Sequence, residues 1–332
     1  MTEAEVARLI DKKQSDTGQP LTSTSAMANK HRGILLSFVS LGLLGILPII
    51  SNSRPSSLDS LTFAFYLSVW QLVCAIPFFV IEWKTERVGL ADPSLDPTRH
   101  NYALKIIVIT GLIFSVSTYL YVLAFEKAGT VNAAIAIQAY PLFAILIESI
   151  LLSKKKQTRE ILLTVLLCLG LYYLATGGSW MASGVSLWFI LALAVPLLWS
   201  IAHIIIKHTI NQDLITPKQI TFFRVLIATL FLGILASAIN DQQVVFQGLF
   251  NPEFQRYAFF MGVVYYAELI NWFYAVKYVD VSVASSITTP TPVITLILSL
   301  IFLHEMIFPY QLIGLVIVLI SLYGLIFYER KK

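Results

Sequence analysis

The sequence is poor in charged residues. Asp, Glu, Lys and Arg make up 13% of its 332 residues, whereas soluble domains have about 25%. Hydrophobic residues make up 57%, and the mean hydropathy is +0.76. Such a chain lacks the charge to cover a water-exposed surface, so it is predicted to be an integral membrane protein. Its net charge of +4 reflects membrane topology and does not predict a nucleic-acid partner.

Groups typical of catalytic and metal sites are also scarce. Cys74 and Cys168 both lie within apolar segments, which predicts buried, inert thiols and neither a disulfide framework nor a thiolate metal site. The apolar segments contain no aspartate, and His203 has no second histidine at ligand spacing. Glycine-rich phosphate loops and a channel filter are missing too. We therefore expect no enzyme, no channel and no cofactor.

Ten apolar segments predict the fold class: an all-α integral membrane protein with ten transmembrane helices. About 20 residues at roughly 1.5 Å each cross a hydrocarbon core. Residues 1–32 are polar and predict a loosely ordered cytosolic tail. They contain no apolar run, so no cleavable signal peptide is expected. The predicted segments cover about residues 33–51, 61–81, 103–125, 131–152, 161–176, 185–206, 220–239, 257–276, 283–303 and 310–328.

The positions of lysine and arginine predict the orientation. Cytoplasmic loops hold an excess of these residues. With the N-terminus inside, the outer side holds only Arg54, Lys127 and Arg256, and Arg224 lies within a segment; the inner side holds the remainder of the 23. Both termini are therefore predicted to be cytoplasmic, in the plasma (inner) membrane.

The chain is predicted to contain an internal duplication. A shift of 151 positions superposes the third and fourth segments on the eighth and ninth, so that Gly111 meets Gly262 and Pro141 meets Pro292. The register of hydropathy carries this alignment. Five crossings per half is an odd number, so repeats 33–176 and 177–332 are predicted to be inverted relative to each other, as in many secondary carriers.

The ninth segment, Val283–Leu303, is rich in hydroxyl groups and proline in its first half. Proline removes backbone donors and hydroxyls in lipid need partners, so this half is expected to face neighbouring helices or a wet cavity. The hydroxyls could instead bond carbonyls of their own helix. Three prolines are candidate hinges: Pro141, Pro290 and Pro292.

Two ionisable residues lie deep within predicted spans, where a charge is costly. Glu268 and Arg224 are both expected near 8–12 Å below the cytoplasmic surface, at roughly 1.5 Å per residue. They are predicted to meet as a gating or coupling pair, with a proton as the candidate coupling ion. The alternative is a buried ion pair that only fixes helix register.

Further candidate substrate-binding residues surround this pair. Residues three or four positions away on a helix share its face, and an amide with aromatic rings beside a carboxylate suits an amine or an aromatic metabolite. Ordinary helix packing is the alternative for each. His203 and Glu148 are instead expected to be solvated near helix ends, and His304 and Glu305 to cap or tether the tenth helix. The predicted substrate-binding set is Tyr119, Gln138, Tyr140, Tyr265, Glu268, Asn271, Trp272 and Thr289.

Two stretches resemble the EamA-type repeat of the drug/metabolite transporter superfamily. They are PTPVITLILSLIFLHEMIFPYQLIGLVIVLISLYGL, with Pro292, Glu305 and Gly314, and ITFFRVLIATLFLG around Arg224. The first repeat keeps Pro141 but has Lys154 and Leu163 where Glu305 and Gly314 stand in the second. The resemblance spans 33–328 and implies a metabolite carrier whose central cavity is lined by helices of both halves.

These features together predict a secondary transporter that works by alternating access. Its expected partners are the lipid bilayer and a small-molecule metabolite, and export of amino acids or related amines is favoured. Nucleotide sugars are disfavoured because Arg224 is the single basic residue deep in a span. The alternative is a flippase for a lipid-linked or amphipathic substrate. No oligomeric state follows from the sequence.

Overall fold

The computed structural model describes residues 23–55, 58–140, 142–143, 146–147, 158–240, 242–279 and 281–329. Within these ranges the chain forms helices joined by short loops, with no strand. Short 3₁₀ turns occur at Gly89–Ala91 and Ala182–Gly184, and a π turn at Ser299–Leu303. The helices are α1 (Ser23–Asn52), α2 (Ser60–Thr85), α3 (Pro97–Ala128), α4 (Thr130–Ile137), α5 (Thr158–Ala175), α6 (Leu187–Asn211), α7 (Pro217–Ile239), α8 (Gln242–Phe250), α9 (Pro252–Tyr278), α10 (Val281–Thr288), α11 (Thr291–Leu298) and α12 (Pro309–Glu329).

The predicted all-α membrane class is confirmed. Eight helical stretches of the described residues are long and apolar enough to cross a membrane, and Pro309–Leu325 is a shorter apolar helix. The remaining predicted span, 131–152, is described only in part, so the count of ten stays a prediction. Pro141, a predicted hinge, lies outside the described residues.

Helix α1 is described from Ser23 onwards, ten residues before the predicted boundary. Residues 23–32 contain no glycine or proline and include good helix formers, so the helix extends beyond the apolar segment. The guanidinium carbon of Arg32 lies 5.3 Å from the centroid of the Tyr278 ring at the end of α9. The expectation of a loosely ordered tail is therefore wrong for residues 23–32.

Several helices begin at a capping residue followed by proline. Asp59 accepts hydrogen bonds from the amides of Leu61 and Thr62 at the start of α2. Asp96, Thr216 and Asn251 act in the same way directly before the prolines that start α3, α7 and α9. Such side chains satisfy free amides of the first turn, and proline fits its first position. The sequence thereby fixes where these helices start.

The two repeats are inverted relative to each other, as predicted. Helices α2 and α7 are equivalent in the two repeats, yet they run antiparallel: Asn240 after α7 donates to Asp59 before α2, while Lys218 in α7 pairs with Glu82 near the end of α2. The main contacts run between repeats: α1 packs on α9 as α6 packs on α3, and α5 packs on α12.

A pair of glycines lets equivalent helices approach closely. A Cβ atom at Gly111 of α3 would lie 2.5 Å from Ile227 Cδ1 of α7, and one at Gly262 of α9 would lie 2.5 Å from Trp70 Cβ of α2. These glycines are 151 positions apart, the same offset that relates α4 to α10. The shared register therefore reflects a shared contact.

The fourth and ninth spans are interrupted helices. Pro290 precedes α11 as its capping residue, with φ −78° and ψ 9°, and Pro292 lies in the first turn. The equivalent interruption falls at Gln138 and Ala139 after α4. Proline cannot donate the backbone hydrogen bond that would continue α10. The two breaks face each other because α4 contacts α11, and they place polar groups at the centre of the bundle.

Candidate functional site: the central cavity

A cavity of about 80 Å³, counted for the centres of water-sized molecules, lies between the repeats at the level of the helix breaks. Helices of both repeats contribute to its walls. We call it the central cavity. It is lined by Leu44, Pro48, Tyr121, Phe125, Ala134, Ile137, Gln138, Tyr140, Trp199, His203, Arg224, Tyr265, Glu268, Leu269, Trp272, Ser285, Thr288 and Thr291.

Aromatic rings form one wall of this cavity. The Tyr121 ring lies 5.7 Å from that of Trp199 and 5.6 Å from that of Tyr265, between ring centroids. The Trp199 indole nitrogen donates to the hydroxyl of Ser117 at 3.1 Å, which fixes the orientation of the ring. The Tyr265 hydroxyl faces Arg224 and Thr118 but reaches hydrogen-bond geometry with neither. This wall suits an apolar or cationic group.

Arg224 and Glu268 bring opposite charges to the same cavity. Their exposed fractions are 3% and 5%. The Arg224 guanidinium carbon lies 3.5 Å from the centroid of the Phe114 ring, a cation–π contact. The two charges lie within electrostatic range. The direct ion pair that the sequence predicts is not formed in this conformation, since the described ion pairs, taken to 4.0 Å, do not include it.

Most of the predicted substrate-binding residues come together here. Gln138, Tyr140, Tyr265, Glu268 and Trp272 line the central cavity together with Arg224. This convergence keeps them as the candidate binding set.

The other three predicted substrate-binding residues do not line the cavity. The Asn271 amide donates to the carbonyl of Ala267 at 2.6 Å, and the Thr289 hydroxyl donates to that of Ser285 at 2.7 Å. Tyr119 lies within electrostatic range of Asp59 and Glu126, towards the end of α3. Their side chains contact other parts of the bundle, so any role in binding stays a prediction.

Hydroxyls of the ninth span bond their own helix. Thr288 donates to Ala284 and Ser285, and Thr291 donates to Thr288. The alternative expectation, that these hydroxyls bond carbonyls of their own helix, is therefore confirmed for the hydrogen bonds that they donate. Thr288, Thr291 and Ser285 nevertheless line the central cavity, where their oxygen lone pairs can still accept hydrogen bonds.

His203 was expected to be solvated near a helix end, and this is wrong. Helix α6 continues for eight residues beyond it, about 12 Å at 1.5 Å per residue. Its ring centroid lies 5.4 Å from that of Phe114, 5.7 Å from Tyr140 and 6.1 Å from Trp272. Both ring nitrogens are shielded and have no hydrogen-bond partner. Leaving a buried polar group unsatisfied costs about 1–3 kcal/mol.

A larger cavity of about 580 Å³ adjoins the central one, and we call it the vestibule. It lies between the ends of α2, α6 and α9 and the loops that follow α2 and α6. Its charged lining residues are Glu82, Glu86, Asp92, Asp213 and Lys277. Hydrogen bonds from Ser94 lower the pKa of Asp92, which keeps this exposed carboxylate charged. The lining thus holds four carboxylates and one lysine, and Lys218 forms ion pairs with two of the carboxylates, Glu82 and Glu86.

Three side chains separate the two cavities. Tyr140, His203 and Trp272 line both the central cavity and the vestibule, and we call them the threshold. They come from the fourth span, α6 and α9, so both repeats contribute. A solute passing from the vestibule to Arg224 and Glu268 must cross this group of rings.

The opposite end of the bundle is closed by polar contacts, and we call it the closed end. Arg54 forms an ion pair with Glu126, which also accepts a hydrogen bond from Ser60. Burial lowers the pKa of Arg54, and Glu126 opposes this shift. The Asn52 amide donates to the Thr130 hydroxyl at 2.7 Å. These contacts join the first four spans.

Glu305 and Gln311 connect the second repeat to the same end. The Thr130 amide donates to Glu305 Oε1 at 3.3 Å, so this carboxylate caps α4. It was expected to cap or tether the tenth helix, whose first turn instead uses Gln311, the acceptor of the Phe308 amide. Gln311 also donates to Asn132 of α4. Phe125 lies between the central cavity and a surface pocket at this end.

No group of three or more His, Cys, Asp and Glu side chains within the described residues could hold a metal ion. The residues that line the central cavity offer charge pairing, hydrogen bonding and aromatic contact.

Comparison with known proteins identifies relatives at the level of family and fold. The sequence model of the EamA-like transporter family matches residues 31–176 and 186–327. A crystal structure described only as that of a protein is 14% identical in sequence; the match covers 90% of this chain and 98% of the other, with a TM-score of 0.61. At this identity the likeness concerns the fold alone. No curated protein matches the chain.

Proposed function

Because the chain belongs to the EamA-like transporter family, and is thus a multi-pass membrane transporter of small solutes, we propose that its cargo is a small zwitterion, with amino acids as the favoured class. The observation that carries this is the pair Arg224 and Glu268, which face one cavity without forming an ion pair. A cation and an anion so placed can each receive the opposite charge of an amino acid.

The size of the central cavity supports a small cargo. The volume of about 80 Å³ counts positions of water centres, and at a share of about 30 Å³ per molecule in the liquid it holds roughly three waters. Space of this order favours a small cargo over a bulky one. The rings of Tyr121, Trp199 and Tyr265 can contact an apolar side chain of the cargo or its ammonium group.

We propose alternating access as the transport cycle. The vestibule leads to the central cavity, whereas ion pairs and hydrogen bonds close the other end. Inverted repeats provide a second conformation in which the two ends exchange these roles. The cargo crosses unchanged, without a catalytic step or cofactor.

The charge distribution supports a vestibule that opens to the cytoplasm. Basic residues are concentrated on the side of the vestibule, which would place both termini and the vestibule in the cytoplasm of a cell with a plasma (inner) membrane. The carboxylates of the vestibule disfavour anionic metabolites, whereas a zwitterion, which has no net charge, can enter. We propose export, with Glu268 as the site where a counter-transported proton binds.

Efflux from proteoliposomes tests this function. Vesicles containing the protein are preloaded with labelled amino acids and their amines, and release is measured with and without a pH gradient. We expect vesicles that contain the protein to release amino acids selectively, and faster than protein-free vesicles do. Glu268→Gln should abolish the effect of the gradient, whereas Glu253→Gln, on the exposed start of the same helix, should not.

The result that contradicts this proposal is equally defined. If no amino acid or amine leaves under either condition, a small zwitterion is not the cargo. The same vesicles, made with a fluorescent lipid and treated with a membrane-impermeant quencher, then measure movement of a lipid-linked substrate between leaflets.

A further inference from the structure

His203 is the central-cavity residue whose surroundings fit its chemistry least. Its ring lies among Phe114, Tyr140, Trp272 and Phe273, and both of its nitrogens lack a hydrogen-bond partner. A phenylalanine would fill an aromatic cluster without leaving polar atoms unsatisfied. The imidazole at this threshold position is therefore better explained by a ligand that supplies the missing partner.

A charged group close to His203 indicates what kind of ligand this is. Arg224 lies within electrostatic range of His203, and both contact the fully buried ring of Phe114. The Arg224 guanidinium has no carboxylate partner in the described structure. Two groups that can donate hydrogen bonds thus lie within electrostatic range of each other, and neither nitrogen of His203 has a protein acceptor.

We infer that His203 and Arg224 form a subsite for the carboxylate of the cargo. The imidazole donates one hydrogen bond from the threshold, and the planar guanidinium donates two in parallel. Glu268 then receives the ammonium group, so the cargo lies with its carboxylate towards α6 and α7. This assignment rests on the proposed function and makes His203 a residue that distinguishes amino acids from amines.

A pair of substitutions separates this role from ring packing. His203→Phe keeps the ring and removes the donor, whereas His203→Gln keeps a donor and removes the ring. Hydrogen bonds to charged groups contribute about 1.5–3 kcal/mol, which corresponds to about 10-fold to 150-fold in affinity. We expect His203→Phe to raise the KM of an amino acid by this factor, while the KM of its decarboxylated amine changes less than about threefold.

The other outcomes are decisive as well. His203→Gln should retain most of the preference for the amino acid over the amine, and His208→Phe, at an exposed position of the same helix, should behave as the unmodified protein. If His203→Phe transports both substrates normally and His203→Gln impairs both equally, His203 only packs, and the inference is overturned.

A binding experiment keeps this inference separate from the proposed function. Propionate is titrated into detergent-solubilised protein, and tryptophan fluorescence is followed, because the Trp272 ring lies 6.1 Å from that of His203. Saturable quenching that His203→Phe weakens by about 10-fold or more supports the subsite even if amino acids are not transported. Equal quenching in the two proteins, or none in either, overturns the subsite.

Discussion

The guanidinium of Arg224 lies 3.5 Å from the centroid of the Phe114 ring and forms no ion pair with Glu268. A desolvated cation–π contact contributes about 2 kcal/mol, which offsets part of the cost of burying the cation. Because the ring face carries no formal charge, the contact holds the guanidinium in place without neutralising it. Arg224 thereby keeps its charge for a ligand.

Arg224→Gln is expected to abolish transport of amino acids. Truncating one partner of a buried, hydrogen-bonded charge pair costs about 2–5 kcal/mol, so the ratio kcat/KM should fall by about 30-fold or more. Initial rates of counterflow in proteoliposomes measure this ratio. Arg256→Gln is the matched control, since Arg256 is exposed and contacts the ring of Tyr257; equal rates for Arg224→Gln and the control would contradict a binding role.

Glu268→Gln is expected to remove proton coupling. The glutamine amide keeps the shape of the Glu268 side chain and can accept a hydrogen bond, but it cannot take up or release a proton near neutral pH. An imposed pH gradient should therefore no longer drive accumulation of the cargo. Exchange of amino acid for amino acid should continue at a reduced rate. Flux measured across pH 5–8 checks this. A Glu268→Gln protein that still concentrates its cargo against a pH gradient would place coupling at another group.

The crossings, the inversion and the family could be predicted from the sequence because each depends on patterns of many residues. Apolar length specifies the spans, and the 151-residue register relates α4 to α10. The match of Gly111 to Gly262 even identifies two equivalent helix contacts. Such features average over local errors of a few residues.

The lining of the cavity could be predicted only in part, because it depends on helix rotation. Trp272 and Asn271 are neighbours in sequence, yet one lines the cavity and the other bonds its own helix. Tyr121 is two residues from Tyr119 and is the one that faces the cavity. The offset of 151 pairs Tyr121 with Trp272, and this signal could have identified it. His203 was wrongly expected near a helix end because the sixth segment was predicted to end at residue 206, whereas α6 continues to Asn211.

Gly262→Ala is expected to destabilise the protein. The new methyl group would lie 2.5 Å from Trp70 Cβ and 2.7 Å from the carbonyl oxygen of Leu67, and overpacking of this kind costs about 1–3 kcal/mol. Gly42→Ala is the control, because no atom lies within 4 Å of a Cβ there, and it should stabilise α1 by about 0.5–1 kcal/mol. In thermal unfolding measured in detergent, the midpoint should fall for Gly262→Ala and not for Gly42→Ala.

Glu126→Ala is expected to weaken the closed end. It removes the acceptor of both Arg54 and Ser60 and leaves a buried arginine without its partner. A shift of about 1.4 kcal/mol towards the alternate conformation would open this end about tenfold more often. The substitution Ala134→Cys places a thiol in the lining of the central cavity. The readout is the rate at which an impermeant thiol reagent, added at the closed end, labels this thiol.

The labelling experiment requires Cys74→Ala and Cys168→Ala as background, since both native thiols are free. Glu253→Gln is the control for loss of a carboxylate at this end. Acceleration in Glu126→Ala but not in the control identifies Arg54, Ser60 and Glu126 as a gate. Unchanged labelling would show that other contacts, such as those of Gln311 with Asn132, are sufficient for closure.

Trp272→Ala and Asn271→Ala test whether the orientation of α9 decides which residues bind. Trp272 lines both the central cavity and the vestibule, and losing a central aromatic contact costs about 2 kcal/mol or more, so its KM should rise about 30-fold. Asn271 donates within its own helix, and its replacement should change KM by less than about twofold. Trp272→Phe should recover much of the affinity while filling most of the same volume. The reverse ranking would mean that α9 rotates during transport and presents Asn271 to the cargo, and the binding face would then have to be assigned from the other conformation.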